Sequence, residues 1–321
     1  MNEKDNTTMS NNKYKFIDLF AGIGGMRIPF EEAGLECVFS SEIDKYARKT
    51  YEAYFGDIPS GDITLINPKT IPKFDILLAG FPCQPFSHAG LKKGLNDHRG
   101  GMFFKIKDIL EIHKPKAFLL ENVRGLTIHD NKKTLERIIK ELESLNYHVT
   151  SSVLAAKDFN LPQRRERIYI VGFKTKKAKE NFEFPKSVKL TKKLKSILEK
   201  NPDKKYTISD RLWIGHQERK ERNKKRGVGF GYSIFDESSL YVNTISARYY
   251  KDGSEILIKQ DNKNPRKITP IEAARLQGFP DQIVKKAQKH NVSDVQLYKQ
   301  FGNAVPVNVI RMISKNILKT L

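Results

Sequence analysis

A β-prone segment that runs into a cluster of glycines constrains this chain most, because it predicts a strand, a tight turn and a helix in immediate succession. The segment KFIDLF (15–20) is followed by AGIGG (21–25) and then by a helical pattern, MRIPFEEAG (26–34). Glycines in such a turn let a ligand approach the backbone at the positive end of the helix. The turn lacks the G-x-G-x-x-G spacing, so it suggests a nucleotide-like ligand and disfavours a nicotinamide-dependent dehydrogenase.

Strands and helices continue to alternate as far as Phe173. Strands are predicted at 36–42, 75–80, 117–122, 147–154 and 167–173, and helices at 44–55, 102–113 and 131–146. DILLAG and AFLLEN are apolar strands without polar alternation, as expected for strands covered on both faces. This pattern predicts an α/β fold with a doubly wound, mainly parallel sheet, whose ligands bind outside the carboxyl ends of the strands.

Basic residues are in large excess and are concentrated after the alternating region. The 321 residues include 58 Lys+Arg and 37 Asp+Glu, a net charge of +21. Residues 174–226 hold 19 of the basic and 7 of the acidic residues, a net charge of +12. Such a surplus attracts a polyanion, and nucleic acid is the first candidate. A lysine bias throughout the proteome is the alternative, and the local concentration weakens it.

The region after the basic block is predicted to contain strands and then two helices. VNTISARYYKDGSEILI (242–258) is rich in β-branched and aromatic residues, and its KDG is a predicted hairpin turn. TPIEAARLQGF (269–279) is predicted to be a helix capped by Thr269, and 303–318 is predicted to be a closing helix.

The polar start of the chain and its two cysteines point to an intracellular protein. Residues 1–13 lack periodicity, which predicts a disordered tail. Cys37 and Cys83 form neither a disulfide framework nor a metal clip, so we expect a reducing, cytoplasmic compartment and no metal cofactor. No apolar run approaches the roughly 18 residues that a membrane span needs, and we expect no membrane partner.

Several side chains that can carry chemistry lie next to predicted strands. Glu42 ends the second strand, where a carboxylate can accept the hydroxyls of a ribose. Cys83 follows the third and is placed for nucleophilic attack if its pKa is lowered. Glu121 ends the fourth, while Arg165 and Arg167 lie at the start of the last. Taken singly, each of these residues also fits a purely structural role. The glutamates could be exposed acids at strand ends, Cys83 a buried inert thiol, and the arginines part of a salt-bridged surface strand.

Six motifs in one order resemble a known family. They are DLFAGIGG (18–25), GFPCQPFS (80–87), ENV (121–123), QRRERIY (163–169), RKITPIEAARLQGFP (266–280) and QFGNAVP (300–306). From about Lys15 to its end the chain resembles the cytosine-5 DNA methyltransferases, in particular the short bacterial modification enzymes of type II restriction-modification systems. The resemblance implies the S-adenosylmethionine-dependent methyltransferase fold with a smaller β-rich target-recognition domain. We expect a catalytic domain at 14–185, completed by 292–321, and the target-recognition domain at 186–291.

The resemblance also implies roles for individual residues. The implied catalytic residues are Cys83, Glu121, Arg165 and Arg167. The implied ligands of S-adenosylmethionine, whose product is S-adenosylhomocysteine, are Phe20, Gly22, Gly24, Glu42, Asp62, Phe81 and Asn303. The implied DNA contacts are Gln84, Ser87, Lys92, Lys93, Arg99, Thr244 and Arg248.

The expected reaction methylates C5 of a cytosine in double-stranded DNA. Cys83 would add to C6 of a flipped base, Glu121 would hold N3, and the segment 82–101 would act as a lid. We expect a monomer, with a cognate restriction endonuclease acting on the same site without a stable complex, and a recognition sequence that begins with CC, such as CCGG or CCWGG. Two alternatives remain open at this point, a tRNA cytosine-5 methyltransferase and a catalytically silent DNA-binding relative.

Overall fold

The computed structural model describes residues 14–82, 101–191 and 193–321, and a six-stranded sheet forms the centre of the described chain. Its strands are β1 (Lys15–Leu19), β2 (Glu36–Ser41), β3 (Ile76–Gly80), β4 (Ala117–Val123), β5 (His148–Ala155) and β6 (Glu166–Phe173). The order across the sheet is β2-β1-β3-β4-β6-β5. Strands β1 to β5 run in one direction and β6 runs in the opposite one, so the expected mainly parallel sheet is confirmed.

The helices of the described residues lie between these strands and after them. They are α1 (Arg27–Glu32), α2 (Lys45–Phe55), α3 (Gly101–His113), α4 (Lys133–Glu143), α5 (Lys176–Asn181), α6 (Asp210–Lys225), α7 (Pro270–Gln277), α8 (Asp281–Lys289), α9 (Asp294–Asn303) and α10 (Val307–Leu318). Asp44 caps α2 and Thr269 caps α7, both as predicted, and Thr269 forms a full capping box with Glu272. None of the helices in these three ranges is both long and apolar enough to cross a membrane.

The sheet is covered on both faces, as its apolar strands predicted. Residues such as Leu77 and Leu120 pack with Phe103 of α3 and Ile138 of α4 in one apolar cluster. Alternate residues such as Leu78 pack on the opposite face in a second cluster, which holds side chains of α1 and α10. The doubly wound α/β architecture is therefore confirmed.

The order of the strands across the sheet reverses between β1 and β3, because β2 lies on one side of β1 and the strands from β3 onwards lie on the other. In open α/β sheets a crevice forms at the carboxyl ends of the strands where the order reverses in this way.

Residues 186–291 contain less β-structure than the sequence predicted. The strands described there are β7 (Ile234–Phe235), β8 (Leu257–Ile258) and β9 (Arg266–Lys267), of two residues each. The KDG hairpin was wrong: Leu257–Ile258 pairs in parallel with Ile234–Phe235, and residues 247–252 form turns. Burial of the Tyr249 ring, whose hydroxyl donates to the Ile256 carbonyl at 2.7 Å, stabilises these turns in place of a hairpin.

A third apolar cluster joins this region to the sheet-based part of the chain. Its buried members include Ile245 and Tyr249 together with Ile23 and Ala47, which lie beside the carboxyl ends of β1 and β2. Helix α8 packs against α2. The segment that follows the basic block is thus packed directly beside the crevice.

Candidate active site

A cavity of about 460 Å³ opens at the carboxyl ends of β1 to β4. The lining includes these residues singled out in the sequence: Phe20, Gly22, Glu42, Asp62, Phe81, Glu121, Arg165, Arg167 and Asn303. Side chains that are 283 positions apart in the chain therefore border the same space, as Phe20 and Asn303 do.

The glycine-rich turn and Glu42 form one wall of the cavity. Phe20 and Gly22 both have φ of 55°, a left-handed conformation that glycine adopts without strain. The Gly22 amide donates to Oε2 of Glu42 at 2.8 Å, and the Asp44 amide donates to Oε1 at 2.8 Å. Burial raises the pKa of Glu42, whereas these backbone amides lower it. Each carboxylate oxygen is thus held by one amide and keeps a lone pair for a further donor.

Gly24 lies behind this wall and is absent from the cavity lining that the described residues form. Its φ is 81°, and a Cβ there would stand 2.2 Å from the Phe55 ring. The Arg27 guanidinium lies over the same ring, 4.2 Å from its centroid. Gly24 therefore allows Phe55 to pack closely against the turn, and its contact with the methyl donor stays a prediction.

Asp62 and Phe81 border the cavity from two loops. Oδ1 of Asp62 accepts from the backbone amide and the hydroxyl of Thr64, at 2.9 and 2.8 Å. Phe81 is buried against Phe103, with ring centroids 6.1 Å apart. A polar and an aromatic group are thus held rigidly at this end of the cavity.

Glu121 faces two arginines at the end of β4. It is paired with Gly80 across the β3–β4 ladder, and its Oε1 lies 3.0 Å from Nε of Arg167. Burial raises the pKa of Glu121, and the charges of Arg167 and Arg165 oppose the rise. A carboxyl group in this setting can hold a proton and present it to a ligand in the cavity.

Arg165 is a fully buried cation that links three parts of the chain. Its Nη1 donates to the Ile245 carbonyl at 3.2 Å and its Nη2 to the Gly302 carbonyl at 3.0 Å. Burial and the neighbouring charge of Arg167 lower its pKa, and the charge of Glu121 acts in the opposite direction. The two carbonyls thus fix the position of the Arg165 guanidinium in the cavity wall.

Asn122 is a residue of this site whose role the sequence reasoning missed, although it stands in the ENV motif. Its Nδ2 donates to the Phe81 carbonyl at 3.0 Å, and its Oδ1 accepts from the Val123 amide at 2.8 Å. The side chain therefore fixes the backbone where β3 leaves the sheet towards Pro82, another residue of the cavity wall. Cys83, which follows Pro82, lies outside the described residues.

Asp18 was also missed, because its place inside β1 predicted only a sheet residue. It lines the cavity, is 1% exposed, and its Oδ2 has no hydrogen-bond partner among the described residues. Burial raises the pKa of Asp18 to about 8, although the charge of Arg27 lowers it. A buried acceptor with a free oxygen is suited to a polar or cationic ligand group.

Of the DNA-contacting residues expected from the sequence, the structure describes two. Thr244 is partly buried beside Ile245, and Arg248 is exposed. The other expected contacts lie outside the described residues; they are Gln84, Ser87, Lys92, Lys93 and Arg99. No group of three or more His, Cys, Asp and Glu side chains in the described ranges is arranged to hold a metal ion.

Comparison with known proteins decides the family. The model of the C-5 cytosine-specific DNA methylases matches residues 14–319. The chain belongs to this family. It is 58% identical over 311 residues to the type II methyltransferase M.DsaV of Dactylococcopsis salina, an alignment that covers 97% of this chain and 87% of the relative. It is 56% identical to the type II methyltransferase M.SsoII of Shigella sonnei, over 97% of this chain and 82% of that one.

A solved structure with the same fold is the Dnmt2 methyltransferase of S. pombe. The TM-score is 0.79 with 22% sequence identity, and the match covers 96% of this chain and 99% of the other. At this identity the likeness supports the methyltransferase fold. As a C-5 cytosine-specific DNA methylase the chain is an enzyme that acts on cytosine in DNA, and the tRNA alternative has less support than this assignment.

Proposed function

We propose that this methylase transfers a methyl group from S-adenosylmethionine to C5 of a cytosine that is flipped out of a short specific sequence in duplex DNA. The observation that carries the proposal is the buried Glu121 beside Arg167, in the same cavity as the glycine-rich turn and Glu42. An acid held close to a nucleotide-sized site suits chemistry on a nitrogenous ring. The proposed product is S-adenosylhomocysteine.

The lining of the cavity fits S-adenosylmethionine. Glu42 would accept the ribose hydroxyls, Asp62 and Phe81 would border the adenine, and Phe20, Gly22 and Asn303 would complete the pocket. The free Oδ2 of Asp18 supplies an acceptor in the same cavity. When bound, this donor supplies an electrophilic methyl group on a sulfonium centre. Gly24 would also belong to this site, through the turn that it shapes with Phe55.

Cys83 is the proposed nucleophile, because cytosine C5 is too weak a nucleophile to react unaided. Its thiolate would form a bond to C6 of the ring and would place electron density on C5, the atom that receives the methyl group. Loss of the C5 proton and of the Cys83 thiolate would then restore the aromatic ring.

Glu121 and the arginines would stabilise the ring while it carries this density. A raised pKa keeps a proton available on Glu121 for cytosine N3, and Arg167 orients the carboxyl group through Nε. Arg165 and Arg167 would face the base carbonyl, where a cation stabilises developing negative charge.

Access to the base requires flipping, which costs a few kcal/mol of unstacking and unpairing. The segment 82–101 would close over the flipped base, with Gln84 and Ser87 towards the DNA and Lys92, Lys93 and Arg99 near phosphates. Residues 186–291 would read the sequence, with Thr244 and Arg248 among the contacts.

The setting proposed for the enzyme is that of a modification methylase. The relatives named above are type II methyltransferases, which supports a restriction-modification system with a separate cognate endonuclease. We propose a cytoplasmic monomer that needs no metal and recognises a site beginning with CC. Residues 14–185 with 292–321 would form the catalytic domain.

Bisulfite sequencing of a plasmid that carries this gene tests the proposal. We expect protected cytosines at one recurring sequence, and none with a Cys83→Ala variant expressed to the same level. Complete conversion of the plasmid together with label from the methyl donor in tRNA would contradict it.

A further inference from the structure

Both backbone polar groups of one residue in the recognition segment, Ile245, are bonded to side chains of the QRRERIY motif. The Ile245 amide donates to Oε1 of Gln163 at 2.9 Å, and the Ile245 carbonyl accepts from Nη1 of Arg165 at 3.2 Å. All three residues are buried. A buried residue whose backbone N–H and C=O are both bonded to fixed side chains has little freedom to shift, because the peptide units on its two sides are held.

Gln163 makes further contacts that fix its own position. Its Nε2 donates to the Leu276 carbonyl at 3.1 Å, so both ends of the amide are used. The residues on each side of Gln163 pair with the backbone of Val242. The Val242 amide donates to the Pro162 carbonyl at 2.9 Å, and the Arg164 amide donates to the Val242 carbonyl at 3.0 Å. The motif therefore meets the recognition segment through backbone and side chain together.

The QFGNAVP motif completes this contact. Nη2 of Arg165 donates to the Gly302 carbonyl at 3.0 Å, and a Cβ on Gly302 would stand 2.3 Å from backbone atoms of Ser246 and Ala247. Asn303, the next residue, lines the cavity. Three distant segments thus meet around the backbone of Ile245, at the border of the proposed reaction site.

Gln163 has no exposed surface and is absent from the cavity lining formed by the described residues. It therefore acts through other groups. We propose that Gln163 is a positioning residue, which together with Arg165 holds the backbone of Ile245 on both sides so that Thr244 and the recognition segment keep register with Glu121. The inference rests on the proposed function, and it assigns to this amide the coupling between sequence recognition and methyl transfer.

The test compares Gln163→Leu with the wild-type enzyme and with a matched control, Gln260→Leu. Gln260 is also an amide with two contacts in residues 186–291, to Thr207 Oγ1 at 3.0 Å and to the Asn264 carbonyl at 2.7 Å. The substrates are a duplex with the site mapped by bisulfite sequencing and the same duplex with one base pair of that site changed. Turnover, KM for the methyl donor, KM for DNA and the thermal midpoint are measured for each protein.

For Gln163→Leu we expect KM for the methyl donor to stay within about twofold of wild type, since the amide lies away from the cavity wall. Turnover on the correct duplex should fall at least about tenfold, because small misplacements are costly in a transition state. The preference for the correct duplex over the altered one should fall by a similar factor. Gln260→Leu should keep turnover and duplex preference within about twofold of wild type, even if its thermal midpoint falls as far as that of Gln163→Leu.

Gln163→Glu separates positioning from a general loss of stability. A buried carboxyl group favours its protonated form, which has one acceptor and one O–H donor and so can remake both contacts. Relative to wild type at each pH, turnover and duplex preference should therefore recover as the pH falls from about 8 to about 6. A merely structural role would not produce this recovery.

Two results would overturn the inference while leaving the proposed function intact: a Gln163→Leu enzyme with wild-type turnover and preference, or a Gln163→Glu deficit that does not change with pH. An inactive Gln163→Leu protein that binds neither duplex still leaves Gln163→Glu to decide. Absence of transfer to DNA cytosine by the wild-type enzyme would overturn the proposed function and this inference together.

Discussion

Glu121 is subject to opposing influences on its pKa, and the balance decides what the residue can do. Burial raises the pKa, and the charges of Arg167 and Arg165 lower it. The net rise keeps a proton on the carboxyl group to a higher pH than an exposed glutamate would, and the 3.0 Å contact with Arg167 fixes its direction. The residue is therefore suited to donate to a ring nitrogen.

We predict that Glu121→Gln lowers turnover by about 100-fold to 1000-fold while KM for the methyl donor changes little, because an amide cannot transfer a proton. Wild-type turnover should also fall as pH rises through the raised pKa, since only the protonated acid donates, and the variant should lack this decline. Glu143→Gln, at an exposed position, is the control. A variant with wild-type turnover would contradict the assigned role.

Asp18 makes stability depend on pH. Its pKa is raised from 3.8 to about 8, so the fold favours the neutral acid. The free energy of unfolding should therefore fall as pH rises between these two values, and this loss should be absent in Asp18→Asn. Between pH 5 and pH 9 we predict that the stability of the variant relative to wild type improves by on the order of 4 kcal/mol.

Denaturant unfolding at these pH values measures the Asp18 effect. Asp261→Asn, at an exposed position, is the control and should track wild type. If the free energy of unfolding of wild type and of Asp18→Asn changed with pH in the same way, the predicted role of Asp18 would be contradicted.

The sequence predicted those site residues whose place at the end of a strand was enough to suggest their chemistry. Glu42 and Glu121 were predicted at strand ends, and both line the cavity. Asp18 and Gln163 were not identified as functional, because their significance comes from contacts between distant segments. Gly24 matched a motif, yet its surroundings show a packing role against Phe55.

At the scale of elements, the end of α9 meets the turn after Thr244 at backbone distance. Gly302 lies in that contact, and a Cβ there would approach the Ser246 and Ala247 backbone at 2.3 Å. Backbone atoms cannot move aside as the end of a long side chain can, so the two segments must separate if the residue grows.

We therefore predict that Gly302→Ala destabilises the protein by about 1–3 kcal/mol and reduces DNA methylation more than binding of the methyl donor. Thermal unfolding and calorimetric titration of the donor measure the two effects. Gly215→Ala is the matched control, because nothing lies within 4 Å of its Cβ and it is in the middle of α6. That control should be neutral or stabilising by about 0.5–1 kcal/mol, and an equal effect of both substitutions would contradict the contact.

Elements with a strong local signal were predicted well, and the recognition segment was not. The segments Ile76–Ala79 of β3 and Ala117–Leu120 of β4 are apolar and buried, and capping residues marked the starts of α2 and α7. In 242–258 the β-branched and aromatic residues pack into the third apolar cluster instead of forming a hairpin. Tyr249 is buried in a cluster that spans two parts of the chain, and its hydroxyl also accepts from the Ile268 amide at 2.9 Å. Strand propensity depends on such packing and did not decide the outcome here.

At the scale of the whole molecule, charge and topology predict how the enzyme meets its substrate. The net charge of +21 is concentrated in residues 174–226, which include the exposed end of α6. Lysines and arginines there can contact phosphates irrespective of sequence. Alternation of strands and helices predicted a site outside the carboxyl ends of the strands, and the reversal of strand order between β1 and β3 gives the position of the crevice along that edge.

We predict that replacing Lys224 and Lys225 by glutamine weakens the binding of correct and altered duplexes by equal factors. The slope of log affinity against log salt should become shallower by up to about 2, roughly 0.9 for each phosphate that the protein no longer neutralises. Replacing the exposed Lys132 and Lys133, which lie outside the basic block, is the control of equal charge. An unchanged slope would show that the end of α6 does not contact the DNA backbone.

The proposed mechanism requires a transient bond between Cys83 and C6 of a flipped cytosine. A duplex with 5-fluorocytosine at the target position captures this bond, because fluorine at C5 cannot leave as a proton does and the adduct persists after methyl transfer. With methyl donor present we predict a denaturation-resistant complex whose peptide map places the DNA on Cys83, and none with Cys83→Ser. No complex, or attachment at another residue, would contradict the mechanism.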